Sequence, residues 1–201
     1  MHAHFYDLLL APFERLAIGK WRRSLWQRVT GRRILEVGVG TGRNIPYYPQ
    51  GIKVTAIDRH AGFLARAHRR KARLGHPVVL KWGDVHRLPF DDEVFDCVVA
   101  SFLFCSVEYP NVGMREILRV LRPGGRFIVL EHGRASGLLG RFMDILARPL
   151  YRLTGDHIGR DATQLARAVG FRRLEVEPVW LDVIKIIRGE KPGVGGFEDN
   201  R

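Results

Sequence analysis

Apolar and polar positions along the chain follow two periods in turn. Continuous apolar runs at RILEV (33–37), KVTAID (53–58), PVVLKWGD (77–84), FDCVVASFLF (95–104) and RFIVLEH (126–132) read as strands, the fourth buried on both faces. Helical spacing fills the intervals. The glycines after residue 37 open one helix, AGFLARAHRRKARLG (61–75) forms another with a basic outer face, and VGMREILRVLRPGG (112–125) forms a third, closed by a proline–glycine turn. This alternation predicts a parallel sheet with helices on both faces, an α/β fold. RDATQLARAVG (160–170) adds an amphipathic helix. FRRLEVEPVW and LDVIKIIRG then read as two strands with a short connection, which predicts antiparallel pairing.

Three stretches lie outside the alternation. Residues 1–31 form a basic, amphipathic N-terminal segment. Residues 133–159 form an insert after the fifth strand, and residues 191–201 a glycine-rich polar tail expected to be poorly ordered. The folded domain is therefore expected over 32–190. With 201 residues, 46% of them hydrophobic, the chain can bury the core of one domain. Its net charge of +12 implies an acidic partner: nucleic acid, an anionic membrane or an anionic small molecule. Cys97 and Cys105 sit in one apolar run and read as buried, reduced thiols, which suits a cytoplasmic setting. Charges interrupt every apolar stretch, so neither a signal peptide nor a membrane span is expected. No His/Asp/Glu set has metal-ligand spacing.

The stretch LEVGVGTGRNIPYYP (35–49) carries the candidate chemistry. A strand–glycine turn–helix unit turns free backbone N–H groups toward a ligand. The dinucleotide fingerprint needs a third glycine three residues after the second, but Arg43 stands there, and Gly38, Gly40 and Gly42 give GxGxG instead. Glu36, two residues before the first glycine, would repel a pyrophosphate and would suit a cation. Asp58 ends the second strand 22 residues after Glu36. Taken singly, these residues have plainer readings, since glycines serve turns and an acid ending a strand often caps a helix.

Taken in order, EVGVGTG, Asp58, GDVHRLPFDDEVFDCVV and REILRVLRPGG resemble the blocks of the class I S-adenosylmethionine (SAM)-dependent methyltransferases over about half of the chain. The resemblance implies a Rossmann-like, seven-stranded, mostly parallel sheet with an antiparallel last strand, an N-terminal amphipathic helix and a lid insert after the fifth strand. It implies SAM as cofactor and S-adenosylhomocysteine as product. The implied cofactor contacts are Glu36, Gly38, Gly40, Thr41, Gly42, Asn44, Asp58, Arg59, Asp84, Val85 and Ser101, with Asp58 on the ribose hydroxyls and Asp84 at the adenine amine.

The acceptor is read from the flanking segments. FERLAIGKWRRSLWQRVTGRR spaces Phe13, Ala17, Trp21, Leu25 and Val29 four apart, with Arg15, Lys20, Arg22, Arg23 and Arg28 filling the remainder. Such a helix can lie on an anionic bilayer, or can pack its stripe on the domain and solvate its charges. The insert GLLGRFMDILARPLYRLTG mixes the same residue types. HFYDLLLAPFERL, SFLFCSV and LEHG are most similar to the bacterial, membrane-peripheral phosphatidylethanolamine N-methyltransferases. That resemblance implies stepwise methylation of phosphatidylethanolamine toward phosphatidylcholine at the inner membrane face, with an anionic phospholipid surface as partner and no obligate protein partner. CSV…REILRVLRPGG…EH is also similar to thiol-alkylating methyltransferase-like proteins, and quinone C-methyltransferases share the core. The alternative acceptor is therefore a quinone precursor, another small hydrophobic molecule or a thiol.

Candidate catalytic residues are Tyr6, His132 and Tyr151. Arg152, Asp156, His157 and Arg160 are candidates for binding substrate, the arginines through bidentate contact with a phosphate. A nucleic-acid acceptor is not expected, because base-directed amino methyltransferases carry Asn/Asp-Pro-Pro-Tyr/Phe after the fourth strand, where this chain has SFLFCS. A lipid-sensing protein that kept SAM binding without turnover would need only the N-terminal segment and the cofactor blocks.

Overall fold

The computed structural model describes residues 17–133 and 160–193, together with positions 135, 137, 138, 140, 141 and 145. Seven strands form one sheet: β1 (Arg33–Val37), β2 (Lys53–Asp58), β3 (Val79–Trp82), β4 (Phe95–Ser101), β5 (Leu121–His132), β6 (Arg172–Trp180) and β7 (Ile184–Glu190). Their order across the sheet is β3-β2-β1-β4-β5-β7-β6. The pairs from β3 to β5 are parallel, and β7 runs antiparallel to both β5 and β6. The expected antiparallel pairing of the last two strands is thus present. Their connection is tight: Leu181 and Asp182 both adopt positive φ, and Val183 N–H donates to Trp180 O.

Four helices cover the sheet, two on each face. Helix α1 (Gly19–Gln27) and helix α2 (Ala61–Leu74) contribute Leu25, Trp26 and Ala67 to a core with Ile34, Val54, Ala56, Val99 and Ile128. Helix α3 (Pro110–Val120) and helix α4 (Ala162–Val169) contribute Met114, Ile117, Ala162 and Ala166 to the opposite core with Leu35, Val98, Phe127 and Ile187. Adjacent residues of β1 and β4 point to opposite faces, so burial on both sides explains their unbroken apolar runs.

Two elements depart from the expected bounds. The third helix starts at Pro110 and ends at Val120, because a proline at the first helical position needs no N–H partner and Pro123 forces Arg122 to be extended. Residues 121–125 therefore open β5. Of the two readings open for the N-terminal helix, its described part packs its apolar stripe on the domain. Arg22 lies three and four residues before Leu25 and Trp26, which places it on the inward face, where it is buried. Arg28 makes a bidentate pair with Glu177 of β6, and Trp21 meets Trp180 with ring centroids 6.0 Å apart. Lys20 and Arg23 remain exposed.

Candidate active site

The chain runs from β1 outward to β3, then returns to place β4 on the other side of β1. Ligands of open α/β sheets bind in the crevice outside the carboxyl ends of the strands at such a reversal. A cavity of about 320 Å³ lies there. Its wall includes Ile18 and Arg22, the glycine loop from Gly38 to Thr41, Arg43, Asn44, Asp58, Phe63, Ser101 to Leu103, Cys105, Ser106 and His132. A second cavity of about 220 Å³ shares Gly38, Asp58, Phe63, Leu103 and Ser106, and continues past Arg59, Gly83, Val85, His86 and Val107. The two form one crevice with a polar end over β1 and a more apolar end over β2.

The glycine loop folds back onto β2. Gly38 and Val39 N–H both donate to Ile57 O at 2.9 Å, and Gly40 N–H donates to Asp58 Oδ2 at 2.8 Å. His60 N–H takes the other Asp58 oxygen at 2.8 Å. Each carboxylate oxygen offers two lone pairs, so Asp58 holds the loop and still has acceptor capacity toward the crevice. A Cβ added at Gly40 would meet nothing within 4 Å, although Gly40 lines the cavity. That open space is a cradle for close ligand approach. A Cβ at Gly42 would instead lie 3.1 Å from Ala67 Cα, so this glycine serves the packing of the loop on α2.

Glu36 is fully buried beneath the cavity and is not part of its wall. Tyr48 Oη–H and Asn44 Nδ2 donate to its two oxygens, and Asn44 Oδ1 accepts from Arg22 Nη1 at 2.9 Å. Asn44 Nδ2 also donates to Ser101 Oγ at 3.0 Å. The sequence suggested a carboxylate facing a cation; here Asn44 stands between Glu36 and the cavity. Burial raises the Glu36 carboxyl to a pKa of about 7, against the lowering effect of Tyr48, Asn44 and Arg22. The neighbouring Tyr48 hydroxyl is pushed up by burial and by the Glu36 charge.

Asp84, expected at the adenine, is not part of the wall, although its neighbours Gly83, Val85 and His86 line the apolar end of the crevice. Burial pushes its carboxyl up, but hydrogen bonds from the His86 backbone and ring, with Arg59 3.9 Å away, outweigh this and hold it below the usual range. Val85 supplies an apolar wall nearby and Thr41 a buried one in the loop.

Another wall of the cavity is built after β4. Phe102 has φ +53, an uncommon backbone for a bulky residue, and its ring packs on His132 with centroids 4.8 Å apart. Leu103 and Phe104 N–H donate to buried Glu131 Oε1 at 2.6 and 2.7 Å. Arg160 Nη1 donates to Phe104 O and Val107 O. Arg160 thus fastens the loop that walls the site, a role its isolated position in the sequence did not reveal. Burial lowers the His132 pKa, so the imidazole is neutral near pH 7. Cys105, Glu131 and His132 place one ligand atom each within 4.8 Å of the others. Spacing could not reveal this set, because it joins the loop after β4 to the end of β5. Tyr6, Tyr151, Arg152, Asp156 and His157 lie outside the described residues, as does most of the insert.

Sequence reasoning missed Arg22, Phe63, Phe102, Leu103 and Ser106 as wall residues. Only Arg22 carried a signal, its helical spacing from Leu25 and Trp26.

Residues 35–129 match the family described as a methyltransferase domain. A demethylmenaquinone methyltransferase of Clavibacter sepedonicus is 32% identical over 93% of this chain and 89% of its own length. A phosphatidylethanolamine N-methyltransferase of Cereibacter sphaeroides is 42% identical over 59% of this chain and 60% of its own length. A human thiol S-methyltransferase is 31% identical over 73% of this chain and 62% of its own length. The chain thus spans about 60% of the length of the latter two relatives. Among solved structures, a SAM-dependent methyltransferase of Thermotoga maritima, described as a possible histamine N-methyltransferase, superposes with TM-score 0.73 at 23% identity, over 94% of this chain and 99% of that one. The chain belongs to the class I SAM-dependent methyltransferases, and SAM is its cofactor.

Proposed function

We propose that the protein methylates the amine of phosphatidylethanolamine, stepwise toward phosphatidylcholine, while bound to the inner face of a membrane. The observation that carries this reading is the 42% identity to a phosphatidylethanolamine N-methyltransferase over 59% of this chain. The site's chemistry agrees with it. SAM, when bound, supplies a methyl group on a positively charged sulfur. Asp58 has acceptor capacity for the ribose hydroxyls, Gly40 leaves room for close approach, and Val85, Leu103 and Val107, which line the apolar end of the crevice, would flank the base. Arg22 and Arg43 line the cavity and would offer cationic donors to the carboxylate, while Asn44, backed by buried Glu36, would face the ammonium.

The acceptor amine must present a lone pair to the methyl carbon, so its proton has to leave. A ring nitrogen of His132, kept neutral by burial at the mouth of this cavity, is suited to accept it. The clamped loop from Phe102 to Val107 and helix α1 wall the reacting centre from water. No helix among the described residues is long and apolar enough to cross a membrane. Attachment therefore falls to surface charge and the amphipathic N-terminal segment.

A second reading, methylation of a quinone precursor, is favoured by the near full-length match to the demethylmenaquinone methyltransferase. Incubation with methyl-labelled SAM and vesicles of phosphatidylethanolamine plus phosphatidylglycerol, followed by lipid separation, decides between them. Label in mono-, di- or trimethylated ethanolamine lipid is expected. Unlabelled lipid with intact SAM binding, and label in an added demethylquinone, would overturn the lipid reading in favour of the second.

A further inference from the structure

Helix α2 carries a cationic surface that the methyl-transfer chemistry does not use. Its sequence, AGFLARAHRRKARL, contains five Lys/Arg and no acid. Ala67 and Leu64 turn toward the sheet. Arg66, Arg69, Arg70 and Arg73 recur at i, i+3, i+4 and i+7, which puts them on one face. These four side chains alone line a shallow depression of about 220 Å³. Four cations on one face suit an anionic partner.

We infer that this arginine row docks the protein on an anionic phospholipid bilayer. The row spans seven steps of helix, from Arg66 to Arg73, about 10 Å, which is too long for one phosphate and fits several headgroups of a continuous surface. Guanidinium forks suit phosphate oxygens, and each cation held near an anionic bilayer adds to the attraction. Contact falls first to Arg69 and Arg73, which are exposed, while Arg66 and Arg70 are half-buried. Leu74, 44% exposed at the end of the same helix, gives an apolar foot beside them. Exposed Lys20 and Arg23 of α1 belong to the same helical layer on the same side of the sheet. The row therefore extends the basic surface of the N-terminal segment rather than opposing it.

It also touches the cofactor loop. Arg70 Nη1 donates to Thr41 O at 2.6 Å, and Thr41 lines the cavity over β1. A bilayer bound at α2 thus rests one side chain from the loop that receives SAM. The inference rests on the membrane-surface part of the proposed function and not on the identity of the acceptor.

The test is co-sedimentation of the full chain with phosphatidylglycerol-containing vesicles, compared with R69Q/R73Q and with R69K/R73K. Neither residue lines the cofactor crevice. At about fivefold per cation near an anionic surface, R69Q/R73Q should lower vesicle partitioning roughly 30-fold and R69K/R73K only slightly. SAM affinity and thermal midpoint, measured on the same preparations, should match those of the parent chain. Partitioning of R69Q/R73Q equal to the parent would overturn the inference. So would loss in R69K/R73K comparable to that in R69Q/R73Q, with release by millimolar inorganic phosphate, which would assign a discrete phosphate site. Retained vesicle binding with selective loss of RNA or DNA binding would overturn it in favour of a nucleic-acid surface. Vesicle binding is read without methyl transfer, so a failed lipid-acceptor assay leaves this result standing by itself.

Discussion

Glu36→Gln tests the electrostatics of the site in both stability and ligand binding. In the folded chain the Glu36 carboxyl titrates near 7, against 4.5 for a solvated glutamate, because burial outweighs its bonds from Tyr48 and Asn44 and the attraction of Arg22. Between these two values the folded state binds more protons than the unfolded state, so stability falls as pH rises through the window. The full gap corresponds to about 3 kcal/mol, of which about 2 kcal/mol is lost between pH 5.5 and 8. Glutamine is neutral throughout and keeps a carbonyl oxygen for one of the two donors. Urea melts of the ligand-free protein should therefore show a decline of about 2 kcal/mol from pH 5.5 to 8 that is absent in the variant. A SAM ammonium held over Asn44 would shift the balance toward the Glu36 carboxylate beneath it. Binding to the parent chain should release a proton near pH 7, seen by calorimetry in buffers of different ionisation enthalpy, and the variant should release none. Equal pH slopes for the two proteins, in melts and in calorimetry, would refute the reasoning.

Asp58→Ala removes the acceptor of the Gly40 amide and the one proposed for the ribose hydroxyls, and should weaken SAM by about 1–3 kcal/mol in calorimetry. Gly40→Ala places a methyl in open cavity at φ +54 and should lower SAM affinity more than stability. Gly42→Ala drives its methyl against Ala67 and Ile45 and should do the reverse; thermal melts beside calorimetry separate the two. Arg160→Met leaves Phe104 O and Val107 O without their donor and should cost about 1–3 kcal/mol in denaturant melts, with a raised KM for the acceptor.

The cofactor half of the site was legible because its parts are local. A strand, a turn of three glycines and an acid ending the next strand are all read within 25 residues, and parallel pairing of β1 with β2 brings Gly38 beside Asp58. Glu36 was legible as an acid beside the glycine turn, but its burial beneath the cavity was not, because its partners Tyr48 and Asn44 come from the loop beyond the glycines. Arg22 was counted among solvated cations because charge alone does not show which helix face points inward. Trp26, four residues on, carried that information. The loop from Phe102 to Val107 was illegible for a different reason. Its shape is imposed by Glu131 from β5 and Arg160 from beyond the insert, and no local pattern announces contacts across 27 to 56 residues.

The role of His132 can be separated from that of a passive wall residue by the pH dependence of kcat/KM toward the lipid amine. A primary alkyl ammonium of the lysine type has a pKa near 10.4, so only on the order of one molecule in a thousand is neutral at pH 7.5. With His132 accepting the proton from a bound ammonium, the productive forms are neutral imidazole and charged amine. Burial holds the imidazole below 6.5, so both forms predominate from about pH 7 to 9, and kcat/KM should be flat there. In His132→Gln only the neutral amine can react, and kcat/KM should rise tenfold per pH unit across the same range. A purely structural histidine would lower both curves without changing either slope. Parallel profiles for the parent and the variant would therefore remove His132 from catalysis while leaving its packing on Phe102 intact.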